Sequence, residues 1–82
     1  MINQKKLQSE YPDLDKYINE NEDIIYYKKD TNIRHNPYGP SVVSEHGYKE
    51  YWINNKYLIK EKFELHPERL KFLGKDYLIS LI

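Results

Sequence analysis

The chain has 82 residues, with 13 Lys+Arg against 13 Asp+Glu, and its formal net charge is zero. It holds no cysteine and no alanine, whereas nine residues are tyrosine. These counts exclude a disulfide scaffold and a cysteine-liganded zinc site, and they disfavour both a strongly basic nucleic-acid binder and an acidic nucleic-acid mimic. The length allows one small domain, 1–82, with a thin core built from Tyr, Ile and Leu. No apolar run reaches the ~18 residues of a membrane span. Met1 to Glu10 has no apolar stretch of the signal-peptide kind, so a soluble, cytoplasmic chain is expected. The excess of Lys, Ile, Asn and Tyr matches AT-rich coding.

In chain order, residues 1–23 read as helical. Leu7, Tyr11, Leu14 and Ile18 recur at helical spacing, and Pro12 splits the segment into helices near 3–10 and 12–20. This segment sets three lysines against six acids, and the remainder of the chain carries the balancing positive charge. Ile24 to Lys29 is rich in β-formers and reads as a strand. Asn36-Pro37-Tyr38-Gly39-Pro40 is a loop, because two prolines and a glycine forbid regular structure. Ser41–Glu45 is a short strand, His46-Gly47 a turn, and Tyr48–Ile53 the clearest strand. Asn54-Asn55 suits a two-residue turn, since asparagine tolerates positive φ, and the chain returns over Lys56–Ile59. Helices are expected at about 60–65 and 67–73, with Pro67-Glu68 opening the second. Residues 76–81 read as helix or short strand. The expected fold is therefore α+β: a small antiparallel three- to four-stranded β-meander (24–59) flanked by N-terminal and C-terminal helices (1–23 and 60–82).

Two segments share a loose pattern 25 residues apart, Tyr26-Tyr27-Lys28 and Tyr51-Trp52-Ile53. The stretch from Arg34 through Gly39-Pro40-Ser41, then Gly47-Tyr48-Lys49-Glu50-Tyr51-Trp52-Ile53-Asn54-Asn55-Lys56, resembles a hairpin repeat of phage, prophage and giant-virus proteins. That repeat runs Arg, polar residues, Gly-Pro-Ala, a short strand, a Gly turn, paired aromatics and Asn-Gly-Lys. The likeness covers about residues 33–58. Ser41 stands where Ala is usual, His46 precedes the turn glycine, and Asn55 stands where Gly is usual. The resemblance implies a β-meander and a viral or mobile-element origin, and no particular chemistry.

No enzyme, cofactor or metal site is visible in the sequence. His35, His46 and His66 lack the spacing of metal ligands and read as exposed loop histidines. Ser9, Ser41, Ser44, Ser80 and Thr31 stand in no nucleophile frame, and the three glycines form no phosphate loop. If Asn54-Asn55 closes a tight turn, Trp52 faces Tyr57 and Tyr51 faces Leu58. Tyr48, Trp52 and Tyr57, extended by Arg34 and Tyr38, are then the candidate partner-binding residues.

The expected function is that of a small non-enzymatic phage or mobile-element protein that binds a host protein. An inhibitor of a bacterial defence effector such as a CRISPR nuclease, an anti-CRISPR-like protein, is its most concrete form. Nucleic acid is a less favoured partner and no membrane is involved. A single-stranded nucleic-acid-binding module and a self-assembling structural protein, such as a homodimer, are the alternatives.

Overall fold

The computed structural model describes residues 4–75 and residue 79. Six strands follow one another as β1 (Gln4–Leu7), β2 (Leu14–Asn19), β3 (Ile24–Lys28), β4 (Val42–Val43), β5 (Lys49–Ile53) and β6 (Lys56–Leu58). Two short helices, α1 (Lys60–Glu64) and α2 (Pro67–Phe72), come after them. The strands lie side by side in chain order and every pair is antiparallel.

The expected N-terminal helices are strands instead, so the sheet has six strands rather than three or four. The described helices are two short ones that follow the sheet and do not flank it. The apolar spacing misled because Leu14 and Ile18 are four residues apart, an interval that returns to the same face of a strand as well as of a helix. The intervening residues decide the matter. Leu14, Lys16 and Ile18 share one side, whereas Asp15, Tyr17 and Asn19 share the other, and the register of β2 on β3 sets Tyr17 against Ile25. Asn19 then stops the strand: its Oδ1 accepts the N–H of Asn21 at 2.9 Å and of Asp23 at 3.0 Å. The side chain thus organises the turn into β3.

The remaining elements lie close to expectation. Asn54 and Asn55 take positive φ values of 51° and 69°, as a tight hairpin turn requires, and Trp52 pairs with Tyr57 and Tyr51 with Leu58. Asp30, 25 residues before Asn55, also has positive φ, but its neighbour Lys29 does not, so the two turns differ in geometry. The reading of 76–81 falls mostly outside the described residues.

The lane between β3 and β5 is made of two separate pieces. On one flank, Tyr26 receives the His35 N–H on its carbonyl (3.1 Å) and donates its own N–H to the Ser41 carbonyl (2.8 Å). On the other, the Ser41 N–H donates to Glu50 (2.8 Å) and the Asn36 N–H to Trp52 (3.0 Å). Residues 33–36 and 41–43 therefore share one lane, and 37–40 leave the sheet as an excursion. Asn36, 1% exposed, closes that excursion at both ends. Its Nδ2 donates to the Pro40 carbonyl and its Oδ1 accepts the Tyr38 N–H.

Both helices pack on the sheet face that carries Tyr51 and Ile53. Phe63 of α1, 2% exposed, lies against Tyr51 with ring centroids 4.6 Å apart. Leu14, Tyr26, Ile53 and Leu70 complete the core on this side. The 37–40 excursion lies here too. Tyr38 stacks on Tyr11 at 4.5 Å, meets Phe72 of α2 edge-on at 5.8 Å, and donates its hydroxyl to Asp13. Arg69 fixes α2 to the excursion by donating to the Pro37 carbonyl at 2.8 Å, with its guanidinium 4.5 Å from the Phe63 ring centre.

Candidate functional site: an aromatic stripe on the helix-free sheet face

Strand alternation sends every second side chain to the face opposite the helices. From β2 to β6 that face carries Tyr17, Tyr27, Arg34, Trp52 and Tyr57. Tyr17 and Tyr27 meet edge-to-face at 5.6 Å. Arg34 is bridged directly across from Tyr27. Its guanidinium lies 4.8 Å from the Trp52 ring centre, and Trp52 meets Tyr57 edge-to-face at 5.6 Å. The five side chains form a stripe across the sheet. Tyr57 is 51% exposed and the other four are half-buried.

Three of the five, Trp52, Arg34 and Tyr27, are anchored by hydrogen bonds. Trp52 donates its indole N–H to Glu50 Oε1 at 2.9 Å, two residues earlier on the same face. Its backbone is locked by Ser41, which is fully buried: the Ser41 hydroxyl donates to the Trp52 carbonyl (2.9 Å) and accepts the Trp52 N–H (3.1 Å). Arg34 is fixed through its backbone to the β5–β6 turn. Its N–H donates to Asn55 Oδ1 at 3.1 Å, and its carbonyl accepts the Asn55 N–H at 2.8 Å. The Gln4 amide donates to the Tyr27 hydroxyl at 3.0 Å. Ser41 and Asn55 thus both use their side chains to hold this stripe.

The same turn rests on His35. His35 is 2% exposed, and its Nδ1 accepts the Asn54 N–H at 2.9 Å. An exposed loop histidine was expected here; the ring is buried because residues 33–36 form part of a sheet lane. Burial first, and then the charge of Lys28, hold its pKa below the usual histidine range, so the ring is neutral with its proton on Nε2. His66 is half-buried and caps α2, accepting the Glu68 N–H on Nδ1 at 3.2 Å. His46 is exposed as expected, 3.4 Å from Glu45. Among the described residues no group of His, Asp and Glu converges as a metal-ligand set.

Of the five candidates read from the sequence, Arg34, Trp52 and Tyr57 come together. Tyr48, 55% exposed, stands in the β4–β5 turn and has no ring partner among the described residues. Tyr38 belongs to the helix-side cluster. Tyr17 was missed because its segment read as helix. Tyr27 was placed in a strand but not joined to Trp52, since its link runs through Arg34 in a loop. No period-2 alternation marks this segment, since Leu14, Tyr17 and Ile18 fall at i, i+3 and i+4; the β-forming pair Tyr17-Ile18 ahead of the turn-former Asn19 was the one signal that could have found Tyr17.

No known family model, curated protein or solved structure matches the chain. The face itself therefore carries the functional argument. Neither described helix covers it, it is rich in rings, and Tyr27, Arg34 and Trp52 are anchored on it. Its charged residues on the paired strands are Lys6, Asp15, Arg34 and Glu50, which sum to zero. Lys6 lies 3.6 Å from Asp15, whose other oxygen accepts the Asp30 N–H at 2.8 Å. No helix among the described residues is long and apolar enough to cross a membrane.

Proposed function

We propose that this chain is a non-enzymatic protein-binding module that engages its partner with the helix-free sheet face. The observation that supports this reading is the Tyr17–Tyr27–Arg34–Trp52–Tyr57 stripe. Tyr, Trp and Arg are the residues that dominate interface hot spots, and here they are pre-organised, so little side-chain entropy is lost when a partner docks. Given the viral likeness of the hairpin, the partner is a host protein. The most concrete form of the reading is a phage or mobile-element inhibitor acting in the bacterial cytoplasm on a defence effector such as a CRISPR nuclease.

A base-stacking role draws support from the same rings. The charges weigh against it, because a nucleic-acid strand needs several phosphate-neutralising cations and this face sums to zero. Self-assembly through the sheet edges is opposed by Lys5 and Lys6 on β1 and Lys56 on β6, since edge lysines discourage strand-to-strand pairing.

Immobilised full-length chain is expected to recover a stoichiometric protein from bacterial lysate. Tyr57→Glu, at an exposed position, should weaken capture by about thirtyfold or more, as loss of a hot spot does, with an unchanged circular dichroism spectrum. Lysate that yields no stoichiometric protein, or equal capture by the variant, contradicts the proposal.

A further inference from the structure

Resting on the protein-binding reading above, we propose that Arg34, Trp52 and Tyr57 form a recognition site for a carboxylate, an Asp or Glu side chain presented by the partner protein. Two acids share this face with Arg34, and both are committed elsewhere: Asp15 to Lys6 and the Asp30 N–H, Glu50 to the indole N–H of Trp52. Among the described residues no carboxylate pairs with the Arg34 guanidinium. Its contact is the face of Trp52, at 4.8 Å.

A guanidinium stacked on an indole is partly dehydrated and held in one orientation. Both conditions favour a bidentate carboxylate over water. The supports are rigid as well. The Arg34 backbone is double-bonded to Asn55, and Trp52 is pinned by Ser41 and Glu50. The exposed Tyr57 ring stands edge-on to Trp52 and supplies an apolar wall beside the charge. A single unpaired cation selects a single acid. A nucleic-acid strand repeats its phosphates and would find one partner here, so the acid of a protein side chain is the better match.

The chain contains one tryptophan, and it is Trp52, so intrinsic fluorescence reads the site directly. The full chain is titrated with a short synthetic peptide rich in Asp and Tyr, with the matched Asn-for-Asp peptide, and with an oligothymidylate. The acidic peptide should shift Trp52 emission saturably, and the amide peptide should bind at least about tenfold more weakly. Arg34→Gln should abolish that difference, and Arg34→Lys should restore part of it, with the thermal midpoint of each variant measured alongside. Equal binding of both peptides overturns the carboxylate site while leaving the face as a protein-binding surface. No saturable shift with the acidic peptide, or tighter and strongly salt-dependent binding of the oligothymidylate, also overturns it; the latter result moves the face to nucleic acid and removes the protein-binding reading as well.

Discussion

Single side chains decide whether the stripe exists. Ser41 satisfies the buried backbone of Trp52 with one hydroxyl. Ser41→Ala leaves the Trp52 N–H unpaired, and a buried donor without a partner costs about 1–3 kcal/mol. Urea unfolding should show that loss at an unchanged slope. His35 sets a pH dependence. Its folded pKa is held below the usual value of 6.5, first by burial and then by Lys28, with Glu68 and Asp13 opposing and His66 adding to the depression. Near and below pH 6.5 the unfolded chain therefore binds more protons than the folded one. Stability is full above that value and falls as pH drops towards the folded pKa. Protonation also places a hydrogen on Nδ1, which ends the acceptor role towards Asn54. The urea midpoint should decline between pH 7 and pH 5, and His35→Gln should flatten that slope. Glu10 adds a second loss at lower pH. Its carboxyl is held below the ordinary 4.5, first by a backbone hydrogen bond and then, against desolvation, by the Tyr26 hydroxyl and Lys16.

At the scale of elements, legibility followed the strength of local signals. The β5–β6 hairpin was readable because Asn-Asn positive φ and two aromatic strands point to the same answer. The start of α2 was readable from Pro67-Glu68. The N-terminal hairpin was not, since an i, i+4 repeat serves two periodicities, and only pairing with β3 selects the strand. The lane shared by 33–36 and 41–43 was invisible too: neither piece is long enough to announce itself, and each is defined by partners on both flanks. That is also why the Tyr27–Arg34–Trp52 continuity escaped sequence reading. Asn55 offers a direct check at this scale. Its side chain accepts the Arg34 N–H, so Asn55→Gly relieves the backbone at φ 69° yet loses that bond. Hairpin stability should change by less than about 1 kcal/mol, whereas Arg34 should lose its fixed stack, read as a change in Trp52 emission.

Across the whole molecule, 42 × 24 × 20 Å, one face of a long sheet is roofed by helices at one region and the other is left to the stripe. Phe63 is the side chain that joins roof to sheet, through Tyr51 and Arg69. Phe63→Ala should cost about 3–5 kcal/mol, a large part of the stability of a domain this small, and lower the thermal midpoint by at least about 12 °C.

The two-piece lane has a kinetic meaning. The β2–β3 and β5–β6 hairpins each close over a few residues, which takes on the order of microseconds. The strip between them cannot settle until 33–36 and 41–43 have both found β3 and β5, so it is the seam that joins two early-formed halves. Arg34 sits in that seam and Trp52 beside it. The guanidinium–indole stack therefore forms in the same step that completes the fold, and a partly assembled chain carries the rings without the arrangement that makes them a binding surface.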